Sequence, residues 1–430
     1  MTAKIRTHLP HIVIPPNQWP RKKVYYYCPD CRSVFGLAKA APPVCPDCKR
    51  AECKDIFGEI ALRLQHAWKF FEATRYEKGK WGLFRMSPSD KDYTLWASLL
   101  ALGTYGELRC LGFELPQPFD DDKILNEWVN AINSHIDPET NLLKGPLGVF
   151  NTAPLVNSAA YVSGSYAWGL NNRVFMPEHY QPPAGTHTDI DHLRNEAAAL
   201  NFLEDRNPEY GSWTKNPYGK GSWTTRVIKN HIDLLKAKEL PDDGMADFVR
   251  QWLDKRQDPN TGAWGGEQCA SHPVIVNGIF KVFVSYERYG WPIQYKKEIV
   301  DFVLSGASQN QGFGGSGCSV FDPMMVLGVI RSRGIDYRAD EIDEVVAKTF
   351  LTFLENWDEN HSWFKGNNWN GKHNMGIVLY MAALLLDQPY MKISTIYNWR
   401  DAPIIERKKD GTVIVNQEIT YSKPGFPFRG

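Results

Sequence analysis

No imbalance of charge marks this chain: 49 Lys and Arg are matched by 49 Asp and Glu across 430 residues, and neither sign forms a long run. Without a charged field of one sign, neither nucleic acid nor an anionic membrane surface is expected as the main partner. No apolar stretch reaches the length of a membrane span; the longest, near Met375–Leu386, suits a buried helix. The opening MTAKIRTHLPHIVIPP lacks an apolar core of signal-peptide length, so no secretion is expected and the address read from the sequence is cytoplasmic. In that setting eight cysteines argue for thiols and metal ligands rather than a disulfide framework.

Aromatic side chains are abundant: 15 Trp, 19 Tyr and 21 Phe. Such residues fill cores, and they also line cavities that stack sugar faces or surround developing cations. A composition of 43% hydrophobic and 23% charged residues belongs to a globular protein with a sizeable core.

The segment YYYCPDCRSVFGLAKAAPPVCPDCKR carries Cys28, Cys31, Cys45 and Cys48 as two Cys-Pro-Asp-Cys knuckles. Four thiolates in two C-x-x-C pairs are what a tetrahedral ion requires. The segment resembles a zinc ribbon, or the iron ribbon of rubredoxin and rubrerythrin. Iron ribbons usually place glycine after each second cysteine so that backbone N–H groups can approach sulfur. Here Arg32 and Lys49 stand in those places, which favours zinc over iron. A closed four-thiolate site has no open coordination position, so its expected role is structural. Cys53 and Cys110 fall outside the pattern and read as buried apolar fillers.

Beyond the ribbon, helical periodicity dominates and repeats with a period near fifty. DPNTGAWGG (258–266) precedes an apolar helix over 274–289. QNQGFGG (309–315) precedes one over 324–333, and WDENHSWFKG (357–366) precedes one over 375–386. Weaker copies are RYEKGKWGLF (75–84), DPETNLLKGPLG (138–148) and NPEYGSWTKNPYGKGSW (207–223). Each unit reads as a half-exposed helix, a Gly/aromatic turn and a nearly all-apolar helix. A helix apolar all round must be covered on all sides. Units of this kind close naturally into a double ring, an α/α toroid of about six helix hairpins. An open solenoid of helix pairs is the rival architecture. The expected domains are an N-terminal arm and ribbon (1–57), the toroid (58–393) and a β tail (394–430), the last a hairpin around Asp410-Gly411.

The Gly-Trp/Phe-Gly-Gly turns resemble those of the terpenoid cyclase and protein prenyltransferase superfamily, where they join outer to inner helices of an α/α toroid. DKDYTLWASLLAL (90–102) is similar to the start of an inner helix in that group. The resemblance spans about residues 60–390 and speaks to fold more than to activity.

In a toroid the inner helices start at one rim, and helix N-termini favour thiolates and anions. GGEQCASHPVI and GGSGCSVFDPMM place Cys269 and Cys318 at matched positions, with His272 where Asp322 stands, each before a proline. His373 falls at the same place one repeat later; Asp92, with Arg226, falls there in earlier repeats. Three chemistries compete for this rim. The first is a second zinc held by Cys269, His272, Cys318, Asp322 and His373. The resemblance to prenyltransferases, whose catalytic zinc takes an Asp, a Cys and a His, implies Asp322, Cys318 and His373. Here, however, cysteine precedes aspartate by four, whereas the family has aspartate two residues before cysteine. The Cys-His dipeptide of the LanC lanthionine cyclases is absent as well. The second is metal-free proton transfer by a desolvated Asp322 or Asp92, although no Asp-x-Asp-Asp motif of terpene cyclases is present. The third is glycoside hydrolysis or polysaccharide lysis. For that chemistry the loop over 146–188 supplies Tyr166, Trp168 and Arg173 as substrate-binding candidates.

The expectation from sequence is a cytoplasmic enzyme acting on a small, partly apolar, isoprenoid-like molecule in a central cavity. A carbohydrate-active lyase or hydrolase is the alternative. The second alternative is a non-catalytic subunit whose C-terminal tail docks a protein partner or a second copy.

Overall fold

The structure is a computed structural model that describes residues 23–37, 43–64, 68–85, 87–93, 192–204, 212–237, 239–265, 270–314, 318–332 and 337–358, with short pieces at 97–98, 101, 127, 130–131, 134–135, 335, 363–364, 404–407 and 413–416. Cys110, Tyr166, Trp168, Arg173, Cys269 and His373 lie outside the described residues.

The described residues open with a three-stranded antiparallel sheet: β1 (Val24–Tyr27), β2 (Val34–Leu37) and β3 (Lys54–Asp55), with β1 in the centre. Tyr26 pairs with Phe35 on one side of the strand and with Asp55 on the other. Then come α1 (Ile56–Leu64), α2 (Trp68–Thr74), α3 (Glu196–Leu203), α4 (Pro217–Ala237), α5 (Met245–Arg256), α6 (His272–Tyr289), α7 (Lys296–Ser305), α8 (Cys318–Ser332) and α9 (Ala339–Glu355). Two small hairpins follow: β4 (Trp357–Asp358) with β5 (Trp363–Phe364), and β6 (Ile404–Arg407) with β7 (Val413–Asn416). The second brackets the Asp410-Gly411 turn expected from sequence. No helix among the described residues is long and apolar enough to cross a membrane.

Alternate helices form one layer. α4 packs on α6, and α6 on α8. Contacts advance together along both partners: Gly278 abuts Pro217, Gly221 abuts Lys281, and Thr225 Oγ1 donates to Lys281 O at 2.5 Å. Likewise Asn277 donates to Cys318 O at 3.2 Å, Phe280 meets Phe321 edge-on at 5.5 Å, and Lys281 acts on Asp322. Parallel helices reached through an intervening helix are the result. α6 is buried throughout 275–286 and α8 throughout 320–330. α5, α7 and α9 alternate buried and exposed positions, as outer amphipathic helices do.

The repeating turn has a physical basis. Trp213 Nε1–H donates to Leu203 O and Trp264 Nε1–H to Leu253 O, each at 2.9 Å, so a buried indole closes off the end of the preceding outer helix. Phe313 takes that place in the next turn, its N–H donating to Thr349 Oγ1 at 3.0 Å. Gly265, at φ +114°, lies against Trp213 O where a Cβ would stand 2.0 Å away. Successive turns therefore stack on each other.

The helix starts differ from expectation at two places. α4 begins at Pro217, inside the stretch 207–223 read as a copy of the turn, because Pro217 fits the first helical turn and the Asn216 side chain accepts from Gly219 N–H at 2.9 Å. α8 begins at Cys318 and runs through Pro323, rather than starting at Met324.

Close approach of α4 to α6 depends on glycine. A Cβ at Gly278 would sit 2.8 Å from Pro217 Cβ and 2.9 Å from its carbonyl carbon, whereas one at Gly314 meets nothing. Gly278→Ala is expected to lower stability by about 1–3 kcal/mol in denaturant unfolding. Gly314→Ala should stay within about 0.5 kcal/mol of the parent. Equal stability of the two variants would rule out this helix contact.

Candidate functional site

The four ribbon cysteines converge. Their Sγ atoms all lie within 4.8 Å of one another, with Cys28–Cys48 and Cys31–Cys45 each at 3.4 Å. A tetrahedral ion with metal–sulfur bonds of about 2.3 Å places its sulfurs about 3.8 Å apart, so the quartet fits one ion. The knuckles are built alike: Arg32 N–H donates to Cys28 O at 2.9 Å and Lys49 N–H to Cys45 O at 3.1 Å. Arg32 (φ +64°) and Lys49 (φ +61°) take the left-handed conformation that glycine usually supplies. Backbone N–H groups of Cys31 and Asp30 reach the Cys28 sulfur, that of Ser33 reaches Cys31, and that of Arg50 reaches Cys48. The expectation that side chains at 32 and 49 would keep N–H groups from sulfur is thus corrected, and with it the reason for preferring zinc to iron. The Ser33 hydroxyl, with its own N–H, pulls the Cys31 thiol down to about 6. Cys53 is buried beneath the quartet beside Cys28 and Cys45, as a filler.

The ribbon lies along an outer helix. Lys23 pairs with Asp340 near the start of α9, Arg32 pairs with Glu355 at its end, and α1 packs against the same helix. Tyr25 is buried there, and burial raises its hydroxyl pKa above the ordinary tyrosine range.

A second constellation lies within the parallel layer. Asp322 is fully buried; its Oδ1 has no hydrogen-bond partner, and burial pushes its carboxyl up to about 7 against the pull of the Lys281 cation. Lys281, 1% exposed on α6, places its Nζ 4.5 Å from the Phe280 ring centroid and 5.2 Å from that of Tyr218. Ser222 on α4 is buried, and its Oγ has no partner.

The direction of these side chains follows from spacing. His231 is nine residues beyond Ser222, and Arg331 nine beyond Asp322; His272 is nine before Lys281. Nine residues are about two and a half turns, which puts each pair on opposite sides of its helix. Each of His231, His272 and Arg331 is tied to the outer layer or the segment leading into it. His231 Nε2 bonds Asp243 at 2.9 Å, His272 Nε2 bonds Phe302 O at 2.8 Å, and Arg331 pairs with Asp343. Ser222, Lys281 and Asp322 therefore share the face turned away from the outer helices, at one level of three neighbouring helices.

His272 does not stand where Asp322 stands: its ring packs on Phe302 and over Gly306 at the end of α7, facing outward. Position 272 also lies about 13 Å along the axis from the level of Asp322. The two therefore do not ligate one ion, and the proline alignment that equated them fails because Pro323 is inside α8. Cys318 is the half-buried first residue of α8. Asp92 is exposed rather than desolvated. Arg226 falls within α4, and its side chain is not among those described. Among the described residues, only the ribbon quartet forms a His/Cys/Asp/Glu group with metal-site geometry.

Sequence reasoning missed Lys281 and Ser222, although a lysine inside the apolar run IFKVFV was a visible signal. It also missed a Tyr–His pair at the start of the inner-helix-like segment. Tyr93 Oη lies 2.5 Å from His135 Nε2, while His135 Nδ1 lies 2.8 Å from Ala131 O, so Nε2 is the acceptor. Tyr76 meets Tyr93 edge-on at 4.7 Å.

No protein-family model, curated protein or solved structure matches the chain.

Two outcomes are expected. Purified protein should hold about one metal ion per chain; Cys45→Ser should empty the site, and Cys53→Ser should leave it filled, by elemental analysis. Stability should also fall as pH rises. The folded Asp322 keeps its proton up to about 7, the unfolded one loses it near 3.9, and between these values the native state binds more protons. Asp322→Asn should therefore flatten the unfolding free energy between pH 5 and pH 8 by about 2–3 kcal/mol.

Proposed function

We propose that the chain is an α/α toroid enzyme that performs proton transfer in its interior, with Asp322 as the acid/base group and the metal ribbon in a structural role. Two features support ring closure. α4, α6 and α8 lie parallel with outer helices between them, and α1 packs on α9, so the first and last described helices are neighbours. The observation that carries the chemistry is the Asp322 carboxyl: fully buried, unbonded at Oδ1, and aimed with Lys281 and Ser222 at one face. A carboxyl held near neutrality by desolvation can both deliver and remove a proton at physiological pH. The rings of Tyr218 and Phe280 beside Lys281, with Phe321 edge-on to Phe280, suit a small, partly apolar substrate.

A carbohydrate-active enzyme is the second reading. It has the Tyr93–His135 pair in its favour, a phenol bonded to an imidazole acceptor beside a second aromatic ring.

One experiment separates them. Small olefinic and isoprenoid-like compounds, and oligosaccharides, are incubated with the protein in deuterated water, and solvent deuterium in substrate or product is read by mass spectrometry. Asp322→Asn should slow turnover by about 100-fold or more, with Tyr93→Phe near the parent rate. The reverse pattern moves the activity to the Tyr–His pair, and full activity in Asp322→Asn removes the acid/base assignment.

A further inference from the structure

The N-terminal sheet has two different faces. Residues paired across an antiparallel ladder point to the same side, and successive residues of a strand to opposite sides. Tyr26 and Phe35, paired and stacked at 6.0 Å, lie against the buried thiols Cys28, Cys45 and Cys53. Tyr25 and Tyr27, with Val34 opposite Tyr27, join the helical core instead. Opposite Tyr25 stands Gly36, where a Cβ would meet the tyrosine ring at 3.0 Å, so the ring lies across the neighbouring strand. One thickness of backbone separates the four thiols from the helical body.

The body face of the sheet seats on α9. β1 and β2 both contact that helix, and α1, which continues directly from β3, packs on it as well. Tyr25 is 7% exposed and within electrostatic reach of Asp340 and Asp343 on α9 and Arg331 on α8. Arg32, the residue after Cys31, pairs with Glu355 at the far end of α9. Exposed ion pairs of that kind contribute little, so the buried Tyr25 is the main hold. The parallel layer uses no ribbon residue for its own contacts: Gly278 abuts Pro217, Thr225 donates to Lys281 O, and Phe280 meets Phe321.

We propose that the ribbon is an ion-dependent clasp: a bound metal ion holds the N-terminal sheet on α9 and fastens α1 there, and loss of the ion releases that seam while α4, α6 and α8 stay packed. This goes beyond the acid/base chemistry of the interior and does not depend on it. Strands of four, four and two residues do not make a stable sheet alone, and three buried thiols are a poor core, so the ion supplies the cohesion. The site is also open to exchange. Cys28 and Cys45 are buried, whereas Cys31 and Cys48 are exposed. A competing ligand in solution therefore reaches the ion from the side of Cys31 and Cys48. Each metal–sulfur bond that breaks is replaced by a bond to that ligand, and the freed thiolate takes a proton from water.

The test is hydrogen–deuterium exchange, read by mass spectrometry, on the full-length protein as purified and after treatment with excess EDTA and 1,10-phenanthroline. Elemental analysis of both samples records the ion. Its loss should speed exchange at least about ten-fold in β1–β3, α1 and α9, and leave α4 and α6 within about two-fold of the loaded protein. One equivalent of zinc or ferrous ion should restore the slow pattern. Tyr25→Ser, on the face away from the thiols, should keep its ion and show fast exchange of α9 without any chelator. An ion that resists both chelators, an α9 unmoved by ion loss, or exchange rising equally in α4 and α6 would overturn the clasp. Ion-loaded Tyr25→Ser with α9 fully protected would do the same. If that variant does not fold, the chelation series decides alone.

Discussion

Contact between the backbones of α4 and α6 sets the position of everything placed inside the helical layer. Gly221 and Gly278 let the two helices meet without intervening side chains, so their register is fixed by main-chain atoms. Thr225 and Ser285 lock it with hydrogen bonds of 2.5 and 3.1 Å. With that register set, Lys281 comes opposite Tyr218, and the parallel packing of α8 brings Asp322 to the same level. A charged side chain in such a layer costs desolvation free energy that packing alone does not recover. Its retention beside a second ionisable group, in helices that are otherwise apolar, is a chemical statement.

The outer layer gives these helices their orientation. An inner helix that is apolar all round has no polar face to choose which side turns inward. Specific tethers choose instead: His231 to Asp243, His272 to Phe302 O, Arg331 to Asp343. Each lies half a helical circumference from a buried polar residue of the interior. The same device appears on three helices, which is repetition at the level of geometry where the residue types have diverged.

Much of this was legible beforehand, for identifiable reasons. The ribbon cysteines are spaced by the bite of a metal knuckle, and the structure gathers all four. The period near fifty is set by one helix pair and its turn; buried Trp213, Trp264 and Phe313 recur at that interval. Orientation around an apolar helix was not legible. His272 was paired with Asp322 because each precedes a proline, yet proline is tolerated at a helix start and, in α8, also lies within the helix. Only the partner across the layer distinguishes outward from inward. Arg32 and Lys49 likewise adopt the backbone conformation that glycine usually supplies. Residue identity alone carries no record of that choice.

The embrace of α9 by the N-terminal sheet bears on how the chain is made. Lys23 meets Asp340 and Arg32 meets Glu355, contacts between residues 317 and 323 positions apart in sequence. Such pairings carry the largest loop-closure entropy and form late. During synthesis from the N-terminus, the ribbon emerges first and gathers its thiols locally. It must then wait, with Tyr25 uncovered, until nearly the whole helical body has left the ribosome. A nascent chain stalled before residue 340 would therefore present an apolar sheet face with nothing to cover it, a state in which chaperone capture competes with self-association.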